Sequence, residues 1–178
     1  MRLSPLPAEE WDDNTRAAFR GLLPRDRRNP EGAGTAMSTL ARHPDLAAAY
    51  MPLGVHLNFR STLSDRVREL IILRVAHRRR SDYIWSHHQR SATAVGLSDT
   101  EIEAIRGGCL PDLFDQAVLD AVDELDDSAG LTDHTWAALS NYLDEQQRMD
   151  LVFTAGGYTL LAVAYNTFGI EPEVEAPR

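Results

Sequence analysis

Residues 68–96 read RELIILRVAHRRRSDYIWSHHQRSATAVG. Leu70, Ile71, Leu73 and Val75 make an apolar helical run that ends among Arg78, Arg79 and Arg80. Cations at that end complement the helix dipole, so the arginines are read as a helix terminus and not as a phosphate-binding patch. Ser81 or Asp82 then opens a second helix, Tyr83 to Val95, and Gly96 stops it. Glu69 lies at the start of the first helix, beside Ile72, Leu73 and Ala76 on the apolar stripe. A carboxylate on that stripe is partly withdrawn from water, which suits general acid or base duty. His87 and His88 are adjacent on the second helix and point about 100° apart. His88 shares its face with Ile84, Trp85, Ala92 and Val95, whereas His87 lies with Tyr83, Ser91 and Ala94. An acid and an imidazole on neighbouring helices can pass a proton between them or through a substrate.

The same helical period runs outward in both directions. Ala8 to Leu22 reads as a helix, followed by PRDRRNPEGAG, a Pro-, Gly- and Arg-rich candidate lid or linker. A short helix near Thr35 to Arg42 and a longer one from Pro44 to Arg60 follow, with a kink or break expected at Pro52. Ser64 caps the helix that carries Glu69. Ser98-Asp99-Thr100-Glu101 is a capping box that opens a helix ending at Gly107-Gly108. Leu113 to Asp127 is amphipathic, Thr132 caps a helix to Leu143, and a last helix runs from Asp144 to Phe168. No stretch alternates with period two, so the predicted class is all-α. The expected organisation is a single domain over residues 1–178, with an N-terminal arm to about 34 and a disordered tail from about 171.

With 178 residues, 43% hydrophobic and 25% charged, the chain has enough apolar surface for one core. A net charge of −9 argues against nucleic acid as a partner. The N-terminus has no apolar signal segment. Residues 151–170 carry no charge, but their glycines, threonines, tyrosines and asparagine read as a buried core or interface helix and not a membrane span. A helix apolar nearly all round needs cover on every side, and a second copy of the chain would supply it. The single cysteine, Cys109, forms no intrachain disulfide and suits a reducing cytoplasm. No HExxH or one-turn HxxxH pair is present, so no metal is expected, and no phosphate loop or dinucleotide fingerprint implies a cofactor. His77, His87, His88 and Glu69 are the ligands a metal would have to use.

In this context the segment RELIILRVAHRRRSDYIWSHHQRSATAVGLSDTEIEAI resembles the carboxymuconolactone decarboxylase and alkylhydroperoxidase D-like superfamily. In the peroxidase branch a glutamate is followed twelve residues later by C-x-Y-C-x-x-x-H. Here Glu69 is followed at that distance by Ser81-Asp82-Tyr83-Ile84 and then His88, so the glutamate, tyrosine and histidine keep register while both cysteines are replaced. The resemblance implies an alkylhydroperoxidase D-like helical bundle that assembles into homo-oligomers. Ser81 and Ile84 have no redox thiol, so thiol peroxidase activity is not expected. The resemblance leaves the decarboxylase-like branch: a cofactor-free lyase working by acid/base chemistry on a small carboxylic acid or lactone. His88 is then the general acid/base held by Glu69, Tyr83 and His87 orient or polarise the substrate, and Trp85, Ser81 and Ile84 line its pocket. A metal-dependent enzyme using the histidines, or a non-catalytic small-molecule binder, remain the alternatives.

Overall fold

The structure is a computed structural model that describes residues Met1–Glu173. Most of the tail expected to be disordered lies outside the described residues. Among these residues the chain forms nine α-helices and no strand. They are α1 Asp13–Ala18, α2 Pro30–Leu40, α3 Pro44–Phe59, α4 Asp65–Arg78, α5 Asp82–Ala94, α6 Asp99–Gly107, α7 Leu113–Ser128, α8 Asp133–Leu139 and α9 Glu145–Phe168. Two compact units share them: Met1–Arg60 with Thr167 onward, and Ser61–Asn166.

In the first unit, Trp11 and Phe19 stack at 5.6 Å within a core that includes Leu6, Ala41, Ala47 and Met51. The long first helix expected over 8–22 is divided. A 3-10 turn at Ala8–Glu10 precedes α1, because the Asp12 carboxylate accepts from the Thr15 N–H at 2.7 Å and restarts the helix there. The Pro/Gly/Arg stretch expected as a lid or linker is folded. Arg25–Arg27 makes a 3-10 turn, Asn29 caps α2 through the Gly32 N–H, and Pro30 takes the first helical position. The helix bends at Gly34, whose φ of 73° is left-handed. α3 continues past Pro52 as one helix, so the chain does not break there.

In the second unit α4 is central. Leu70, Ile71, Ile72 and Leu73 are all 0% exposed. Four successive residues point in four directions around a helix, so α4 is enclosed on every side. Each of those side chains contributes about 2 kcal/mol of burial. α4 packs chiefly on α5 and α7, with α6 beside it. Arg74 holds the group together. Its guanidinium meets the Asp123 carboxylate of α7 through two 2.6 Å bonds and donates to the Ile105 and Arg106 carbonyls at the end of α6. α6 opens with the reciprocal Ser98/Glu101 capping box and closes on Gly108 at φ 72°. Asp144 and Gln147 cap α9 in the same reciprocal way.

Candidate functional site

Two helix starts set the site. The Ser64 hydroxyl accepts from the Val67 N–H and opens α4, which places Glu69 in the second turn with its side chain toward α5. α5 begins at Asp82, and Ile84 and His88, four residues apart, share one face. Glu69 Oε2 lies 2.7 Å from His88 Nδ1. Glu69 is 2% exposed, and the His88 side chain is 17% exposed. The acid is therefore inside and the imidazole bridges it to the surface. With Nδ1 engaged by the carboxylate, Nε2 is the nitrogen left for a substrate.

The second oxygen of Glu69 is 3.5 Å from Arg68 Nε, and Arg68 in turn meets Asp65 at 2.7 Å. Asp65, Arg68, Glu69 and His88 thus form a line of alternating charge when His88 is protonated. A carboxylate this buried requires such compensation, because desolvation of an isolated charge is expensive. Tyr158 of α9 presents its ring edge-on to His88, with centroids 5.1 Å apart and planes at 89°. Arg68 and Tyr158 were not assigned site roles from the sequence. Adjacency to Glu69 was the available signal for Arg68. No spacing rule connects Tyr158 to residues so distant in the chain.

The other expected site residues occupy different faces of α5. Tyr83 stacks on His87 at 5.0 Å, one turn along the helix, and meets Tyr165 edge-to-face at 5.5 Å. Tyr83 is buried and His87 is exposed. Trp85 faces away from this pair, with His77 at 6.3 Å and the Arg106 guanidinium 3.8 Å over its ring. Ile84 is buried one turn before His88. Ser81 holds the N-cap position of α5 but makes no side-chain cap, and its buried hydroxyl has no hydrogen-bond partner among the described residues. Cys109 is exposed just after the Gly108 turn. His77 lies beside Trp85, and His56 belongs to α3 in the first unit. Among the described residues no three His, Cys, Asp or Glu side chains converge as a metal site requires.

Residues 44–127, which contain both Glu69 and His88, match the carboxymuconolactone decarboxylase family. No curated protein sequence matches the chain. Among solved structures, the chain is similar to the apo debrominase Bmp8 with a TM-score of 0.75 at 17% identity, over 96% of this chain and 91% of that one. It is similar to the alkylhydroperoxidase AhpD core of an uncharacterized peroxidase-related protein from Ralstonia eutropha JMP134. There the TM-score is 0.75 at 18% identity, covering 97% and 94% of the two chains. A protein of unknown function from Agrobacterium tumefaciens, associated with AhpD antioxidant defence, aligns at TM-score 0.68 and 19% identity, over 75% of this chain and 94% of that one. At these identities the likeness establishes an AhpD-like helical fold.

Proposed function

We propose, from the match of residues 44–127 to the carboxymuconolactone decarboxylase family and from the AhpD-like fold, that this chain is a member of that superfamily and a cofactor-free, decarboxylase-like enzyme acting on a small carboxylic acid or lactone. The observation that carries the proposal is the 2.7 Å hydrogen bond between a buried carboxylate and a half-buried imidazole. Glu69 accepts the Nδ1 proton and fixes the ring orientation, so Nε2 is the working nitrogen of His88. In a decarboxylation the bond from carbon to the carboxylate breaks and carbon dioxide leaves. The electron pair passes into a conjugated carbonyl as an enolate, and the imidazolium delivers a proton to carbon. Water then returns a proton to the imidazole. Tyr83 and His87 are assigned to orienting the substrate carbonyl or carboxylate, and Ser81 and Ile84 to its surroundings; Trp85, expected beside them, lies instead against His77 and Arg106.

Thiol-dependent peroxide reduction is not part of this proposal, because Ser81 and Ile84 stand where a thiol pair is needed and Cys109 is the sole cysteine. The proposed setting is the reducing cytoplasm. The test is release of carbon dioxide from carboxymuconolactone and related lactone acids, with His88→Asn and Glu69→Gln as controls. Turnover lost in both variants supports the reading. Unchanged turnover in His88→Asn, or hydroperoxide reduction that depends on Cys109, overturns it. Ligand binding with no turnover by the parent protein would reassign the chain as a small-molecule binder.

The proposal includes self-association. By length and composition α9 is the one helix among the described residues apolar enough to cross a membrane, yet only 39% of its apolar window is buried. Met149, Phe153, Leu160 and Val163 are each more than half exposed, with exposed Gly156 among them. Their four-three spacing makes a continuous seam of the kind that packs helix on helix. Beside it opens an apolar cleft of about 370 Å3 between α4, α7 and α9. A second copy of α9, seated along the seam, is the proposed occupant.

A further inference from the structure

A second cleft, of about 560 Å3, opens on the second unit where the end of α4, the start of α5 and the end of α6 meet. His77, Arg78, Arg80, Asp82, Trp85 and Arg106 are on its walls. From these residues we infer a binding site for a small carboxylate, separate from the Glu69–His88 pair.

Charge is the first argument. Arg78 is committed to Asp126 and Asp127. Arg80 has no carboxylate partner among the described residues. Arg106 has only an exposed neighbour three residues away, Glu103, at 3.3 Å, and such surface pairs hold little energy. Counting Arg78, Arg80 and Arg106 against Asp82 and Asp126 leaves the walls one positive charge in excess. A monoanion balances that charge, and planar guanidinium groups match the two oxygens of a carboxylate. Two carbonyls at the end of α4 are already engaged by backbone donors. The Arg80 N–H bonds to the His77 carbonyl and the Ser81 N–H to the Ala76 carbonyl, closing the helix in a Schellman motif.

Backbone conformation is the second argument. The residue at the left-handed position of that motif is ordinarily glycine. Here it is Arg80, at φ 53°. A side chain retained where its own backbone disfavours it points to a use for that side chain. The third argument is an unmatched donor. Trp85 is 7% exposed, and its indole Nε1–H is buried with no acceptor. A buried donor without a partner is uncommon and calls for an acceptor that is absent from the protein itself. The Arg106 guanidinium lies over the same indole ring. A carboxylate drawn to Arg80 and Arg106 would sit against the ring that carries this donor.

The test uses the three tryptophans, Trp11, Trp85 and Trp136, whose indole N–H signals are separable by 15N–1H NMR. Trp85→Phe assigns the signal that matters. Acetate, a monoanion, is titrated from below to well above about 1 mM, an affinity range suited to a small charged ligand, at constant ionic strength. Saturable movement of the Trp85 signal, with Trp11 and Trp136 unmoved, is the expected result. Arg80→Gly keeps the left-handed turn and removes the cation, so the fold should hold or gain stability while the movement is lost. An unmoved Trp85 signal overturns the inference, as does the same movement in Arg80→Gly. Inorganic phosphate forms the second arm: movement with phosphate but not acetate overturns the carboxylate assignment.

Discussion

Glu69 has exchanged water for one imidazole, that of His88, and one guanidinium, that of Arg68. Replacing it by Gln keeps the shape and one hydrogen bond to His88 but removes the charge that would hold an imidazolium. Turnover should fall by about a hundredfold or more, within the range general acid–base groups supply, while the circular dichroism spectrum stays that of the parent. His88→Ala should abolish turnover and leave a folded protein. A variant that instead melts out at room temperature would make His88 a core residue with no catalytic part. His77 yields a different expectation. Desolvation, and then Arg74, Arg106 and Arg78, lower its pKa below the ordinary 6.5. The unfolded chain therefore takes the proton more readily than the folded one, and stability falls as pH drops below about 6.5. His77→Gln should flatten that part of the stability–pH curve in urea titrations.

At the scale of elements, two guanidiniums of α4 join it to α6 and α7: Arg66 meets Glu101 and Asp115, and Arg74 meets Asp123 and the end of α6. Arg74→Met leaves Asp123 with only Arg78 at 3.7 Å and two carbonyls without a donor, and should cost about 3 kcal/mol, read as a lower urea midpoint. Gly108→Ala adds strain from a second direction. The position has φ +72°, and a Cβ there would stand 2.6 Å from an Arg74 nitrogen, so Tm should fall. The capping box of α6 carries its own pH signature. Hydrogen bonds from Ser98, and then Arg66, hold the Glu101 carboxyl down to about 2. Its contribution is complete above the ordinary carboxylate value of 4.5 and is lost as pH falls toward 2. The parent and Glu101→Gln should converge in stability over that window. This helix end was legible in the sequence because Ser98 and Glu101 are three residues apart and a local rule covers them. The Glu69–His88 contact was legible through family register. Arg74 and Tyr158 were not, since their partners lie far along the chain and only packing brings them together. The division of the first helix at Asp12 was missed because a helical period continues across a cap that restarts the chain.

At the scale of the whole molecule, the seam on α9 governs assembly. Leu160→Arg places a charge at the middle of the proposed contact. Light scattering at micromolar concentration should then give the mass of one chain, against a multiple of it for the parent. If the parent already runs as one chain, self-association through α9 is ruled out. The exposed thiol of Cys109 has a practical consequence at this scale. A chain with a single accessible thiol accepts a single spin label or fluorophore. Label-to-label distances in an assembled sample would then report the number of subunits and their symmetry directly, without engineering a cysteine anywhere else.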